Sequence, residues 1–309
     1  MTISKRRPAL GLAIVGALVL AACGDDDSGT SETLPPVTVG TAAEPTVPGT
    51  EPGDSTVPSG EYTYPTGSED VVVEYAEVGG FTTQAFAFQN PPSVLISGDG
   101  LVYGGGATIA VFPGPLVPPV FVRTITPAGI ETVLAGADQA GLLADVDYDS
   151  EAAEFVADAP TATVTIAANG ERWIHEAYAL GVGGGPGGTD DTPEREALQG
   201  FLVELGDLEA LVGADQLGEE RSFEPTEYLI LAVPLDDPTG RGLEGQDPTI
   251  VEWPADASVR LADVAECAAI SADEVGDLFA AADQLTFFDD GGVVYEVIPK
   301  PVLPGVACV

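Results

Sequence analysis

Positive charge is scarce in this chain: ten Lys and Arg stand against 50 Asp and Glu over 309 residues. A surface of that sign repels nucleic acid and anionic lipid headgroups, so the composition supports neither as a partner. Histidine is scarcer still. His175 is the only one, and any serine nucleophile that relies on an imidazole base would have to use it. No Gly-x-Ser-x-Gly elbow displays such a serine. With two cysteines expected to pair in a disulfide, one histidine leaves only carboxylates to complete a structural zinc shell, an unusual ligand set. The apolar run Leu10 to Leu20 is about half of the ~20 residues that a spanning helix needs. Regular alternation of strands and helices, the signature of a doubly wound parallel sheet, is missing as well.

The first 23 residues are more informative. Lys5, Arg6 and Arg7 precede the apolar run, and Leu20-Ala21-Ala22-Cys23 closes it with small residues before a cysteine. That order is a signal peptide's. Leu20-Ala21-Ala22-Cys23 resembles the lipobox of bacterial lipoproteins. The resemblance implies that the Cys23 thiol receives a diacylglyceryl group and that cleavage leaves Cys23 as the first residue. The expected location is the extracytoplasmic face of the bacterial cell membrane, held by lipid. Pro8-Ala9 after Arg6-Arg7 departs from the twin-arginine pattern, so general secretion is expected. Removing residues 1–22 takes three of the ten cations, leaving seven against 50 acidic groups, a net charge of −43. A solvated acidic surface is the plain reading; cation binding or a screening salt medium also fits.

With Cys23 assigned to lipid, Cys267 and Cys308 remain. An exported compartment permits disulfides, and this even remainder predicts one. Closing a loop of that length contributes about 4 kcal/mol on the chain-entropy model.

Residues 24–67 read as a tether: 27 of the 44 are Gly, Pro, Ser or Thr, eight are acidic and none is basic. Such a segment buries too little apolar surface to offset its ordering entropy. As a coil it spans roughly 35–40 Å. The organisation expected is therefore a signal peptide over 1–22, lipidated Cys23 with its tether over 23–68, and one α+β domain over 69–309. That domain mixes short, mainly antiparallel strands with about three helices. Two half-domains, 69–190 and 191–309, are the alternative division. The run 70–78 reads as a strand, and so do 81–88, 93–97, 161–167, 171–180, 228–233, 249–253 and 293–298. Asn169-Gly170 is a strong hairpin signal. Thr126-Pro127 and Thr192-Pro193 start helices. Ser271 to Glu274 reads as a capping box opening a third, whose core face is Val275, Leu278, Phe279 and Ala282.

The candidate sites are few. Asp145, Asp147 and Asp149 alternate, and alternate carboxylates in a loop can converge on a hard cation such as calcium. Ser150 and Val156 stand where an EF-hand loop needs Gly and Glu, so only a looser calcium site survives. No other cofactor is expected. The run Gly183 to Gly188 matches Gly-x-Gly-x-x-Gly, but Pro186 removes a donor and Asp190 and Asp191 crowd the next helix, so it reads as a connection. Tyr75, Tyr103, Trp173, Tyr178, Trp253 and Tyr295 are candidates for a carbohydrate platform or for core. A mid-strand His175 reads as packed.

From residue 69 the chain resembles lipoproteins of unknown function from high-GC Gram-positive bacteria, through Ala140-Gly-Leu-Leu143, Ala157-Asp-Ala-Pro160 and the stretch Tyr295 to Cys308. That group implies no activity. The expected function is a lipid-anchored, non-enzymatic envelope module that binds a protein, glycan or small molecule. A secreted hydrolase using Asp or Glu, with or without calcium, and a transporter's solute-binding lipoprotein are the alternatives.

Overall fold

The computed structural model describes residues 61–107, 111–183, 189, 192–241 and 246–308. The first sheet is built from β1 (Val71–Gly79), β2 (Val94–Ser97), β3 (Leu101–Gly105), β4 (Val120–Thr124), β5 (Pro160–Ala168), β6 (Glu171–Tyr178) and β7 (Arg221–Ser222), in spatial order β6-β5-β1-β2-β3-β4-β7. Every pairing in it is antiparallel. The second holds β8 (Glu227–Pro234), β9 (Thr249–Glu252), β10 (Ala268–Ser271), β11 (Thr286–Asp290) and β12 (Val293–Pro301), ordered β10-β8-β12-β11-β9, with β9 and β11 parallel. With helices α1 (Gln84–Gln89), α2 (Pro127–Gln139), α3 (Pro193–Gly206), α4 (Leu208–Val212) and α5 (Ala272–Ala280), the class is α+β.

The helix starts follow from their caps. Thr126 and Thr192 accept hydrogen bonds from the Gly129 and Arg195 amides, and each is followed by proline at the first helical position. Ile130, Val133, Leu134 and Ala137 of α2, with Leu198, Phe201, Leu202 and Leu205 of α3, cover one face of the first sheet. Gly206 ends α3, and Asp207 caps α4. At α5 the expected box does not close. Ser271 accepts from the Asp273 amide, while Glu274 turns away to take the Ser258 amide and hydroxyl. Phe279 of α5 packs with Trp253, Phe288 and Tyr228 in the core of the second sheet.

A bulge in β1 between Val71 and Val73 breaks the period of two. Val72 and Val73 therefore both enter the core under α2 and α3, while Val71 joins Leu95, Tyr103, Val122 and Leu303 on the opposite face. That opposite face is closed by the C-terminal tail. Gly305 has φ +75°, and a Cβ there would meet Val71 Cγ2 at 2.8 Å. The tail is fastened by the expected disulfide, Cys267–Cys308, with Cα atoms 5.7 Å apart.

Two further expectations are corrected. Residues 81–88 are not a strand: Thr83 caps the short helix α1, accepting from the Phe86 amide. The folded part also starts earlier than residue 69. Tyr62 is buried in the first core, its phenol donates to Asp138 at 2.9 Å, and Glu131 accepts from the Glu61 and Tyr62 amides. Gly98 leaves room for this segment, since a Cβ there would lie 2.4 Å from the Pro65 carbonyl oxygen. As for halves, α3, α4 and β7 belong with the first sheet although they follow residue 190.

Candidate functional site

The loop after α2 carries the alternating acids and lies across a cleft from β6, the last strand of the first sheet, which pairs with β5 alone among the described strands. His175 holds its start. Trp173, His175 and Ala177 of β6 point into the core, and His175 is 2 % exposed. Its Nε2–H donates to the Leu142 carbonyl at 2.9 Å. That fixes the tautomer, so Nδ1 accepts from the Tyr148 hydroxyl at 3.1 Å. Burial lowers the His175 pKa, opposed by the Leu142 bond and the Asp145 charge. Burial, with the charge of Glu194, pushes the Tyr148 phenol up to about 12, so it remains a donor. With both ring nitrogens engaged, the imidazole clamps the loop to β6.

Arg195 holds the same loop from the other side. It lies in the first turn of α3, is 1 % exposed, and donates to the main-chain carbonyls of Thr189, Tyr148 (2.7 Å) and Tyr178 (2.8 Å). Tyr148 is thus bound through its hydroxyl by His175 and through its carbonyl by Arg195.

Between this fixed loop and β6 lies a cleft of about 470 Å3. Asp147, Asp149 and Glu154 line one wall, Ile174, Glu176 and Tyr178 the other, and Arg195 reaches it from α3. The Tyr178 hydroxyl donates to the Val156 carbonyl and accepts from the Ala159 amide, closing one end. Asp147 accepts from the Asp149 amide, and Ser150 from the Ala153 amide, which tightens the loop internally.

The three aspartates separate here. Asp147 and Asp149 line the cleft and Asp145 does not. No group of three or more His, Cys, Asp or Glu side chains among the described residues is placed to hold a metal ion. Of the aromatic residues singled out, Tyr103, Trp253 and Tyr295 are buried, and Tyr75 and Trp173 pack against the first core; only Tyr178 lines the cleft. Cys23 and residues 184–188 lie outside the described residues; beyond the latter, Thr189 bonds back to Val182. A second hollow of about 210 Å3 brings Glu74 and Lys300 together beside Phe86. Burial shifts each toward its neutral form, raising the pKa of Glu74 and lowering that of Lys300.

Arg195 is the residue that sequence reasoning missed. One signal was available: a cation in the first turn of a helix opposes the macrodipole, so another interaction must keep it there. No described helix is long and apolar enough to cross a membrane. None of the protein-family models, curated proteins or solved structures compared with the chain matches it.

Proposed function

We propose that the chain is a lipid-anchored extracytoplasmic binding module whose ligand site is the cleft between the acidic loop and β6. The observation that carries this reading is the construction of the cleft wall. A neutral His175, the Tyr148 phenol and a buried Arg195 hold it without leaving the shape to the loop itself. A wall fixed before the ligand arrives lowers the ordering cost of binding. The lipobox-like Leu20-Ala21-Ala22-Cys23, the acidic stretch after it and the disulfide fit an exported, tethered domain.

The test is hydrogen exchange on the full processed chain in detergent micelles, titrated with small amines, glycan fragments and short peptides. Binding is expected to slow exchange in 146–154 and 174–178. Ligands that protect only surfaces elsewhere contradict the reading.

A further inference from the structure

The free edge of β6 runs through the cleft, and its main-chain groups have a phase that can be read. Antiparallel strands alternate residues that direct N–H and C=O to the partner with residues that direct them away. The Ala179 amide donates to the Pro160 carbonyl, so odd-numbered residues at this end face β5. Arg172, Ile174, Glu176 and Tyr178 therefore direct their main-chain groups outward. The Tyr178 carbonyl agrees with this phase, because it is taken by Arg195 and not by β5. Ile174 and Glu176 line the cleft, and no described residue supplies a partner for their outward N–H and C=O groups.

We infer that the cleft takes an extended peptide segment bearing Lys or Arg side chains, which pairs with β6 as an eighth strand of the first sheet. This rests on the cleft being the ligand site, and adds what the ligand is. Two outward residues offer two donors and two acceptors, enough for a segment of about four residues, roughly 13 Å long at 3.3 Å per residue. Arg195 sets the register by occupying the next carbonyl, Tyr178, so pairing ends at Glu176. Asp147, Asp149, Glu154 and Glu176 surround the edge and select positive side chains on the incoming strand. Ile174, 59 % exposed, supplies an apolar contact. A second copy of the same edge is a poor occupant, because it would set these carboxylates against their own copies.

The test uses the full processed chain in detergent micelles and four capped peptides: Lys-Val-Lys-Val-Lys, its two isomers N-methylated on alternate residues of opposite parity, and Glu-Val-Glu-Val-Glu. The first is expected to slow exchange of the Ile174 and Glu176 amides tenfold or more at saturation. One N-methyl isomer is expected to bind at least tenfold more weakly and the other about as well, because only one parity faces β6. The acidic peptide is expected not to bind, and Glu176→Lys is expected to weaken the basic peptide several-fold with the fold intact. Equal binding of both N-methyl isomers overturns the inference, and so does binding without protection of Ile174 and Glu176. If no peptide binds while another ligand protects 146–154, strand pairing fails and the cleft remains the ligand site. If no ligand protects the cleft, both fail.

Discussion

His175 and Arg195 are the two side chains whose chemistry is most easily misjudged from their type alone. An isolated histidine suggests a base, yet its Nε2–H is committed to Leu142 and its Nδ1 to Tyr148. Burial holds its folded-state pKa below the ordinary 6.5. As pH falls, the unfolded chain therefore takes up the proton first, and stability present above pH 6.5 is lost progressively below it. Between about pH 7.5 and 5.5, above the carboxylate range, the unfolding free energy is expected to decline more steeply in the wild type than in His175→Gln; urea titrations at each pH check this, and equal slopes contradict it. Arg195→Met leaves three carbonyls without their donor and is expected to cost about 3 kcal/mol by the same urea assay. The packing of His175 in mid-strand was legible in the sequence; the partners of the two side chains were not. Apart from the Tyr148 hydroxyl, the partners are main-chain carbonyls, which leave no residue signature, whereas the alternate spacing of Asp147 and Asp149 was visible even though the cleft they line was not.

Helices with a cap and an apolar stripe were readable, and those without the stripe were not. Thr126-Pro127 and Thr192-Pro193 announce α2 and α3, and the buried side chains of each fall where a period of 3.6 places them. By contrast α1 buries no residue at all, so its alternating aromatics mimicked a strand and only Thr83 marked the turn. The division into two sheets was also hidden. It depends on distant pairings, such as β4 with the two-residue β7 and the parallel match of β9 with β11, which local patterns do not encode. The entry segment 61–67 was hidden by its composition, since prolines and threonines surround the two tyrosines that dock. Tyr62→Ala empties a core position and is expected to cost about 3 kcal/mol, measured by thermal or urea unfolding; a change below ~0.5 kcal/mol would show that the segment merely lies on the surface. The tail behaves as a second strap. Replacing Cys267 and Cys308 together by serine is expected to lose about 4 kcal/mol and to raise exchange around Val71 and Leu95, which Leu303 covers.

Taken whole, the molecule combines a strongly acidic chain with an exposed strand edge and a candidate lipid site 38 residues ahead of the first described residue. A processed chain of net charge −43 is repelled by anionic headgroups. Electrostatics therefore cannot hold it at a membrane, and a covalent lipid is the anchor our account requires. The same charge discourages edge-to-edge pairing between copies while favouring basic segments at β6. The measurement that bears most directly on the account is mass spectrometry of the protein from the membrane fraction of a host with lipoprotein processing. The expected result is a chain beginning at Cys23 whose sulfur carries a diacylglyceryl group, with Cys23→Ser releasing the protein from the membrane. A soluble chain with an unmodified Cys23 thiol would contradict it.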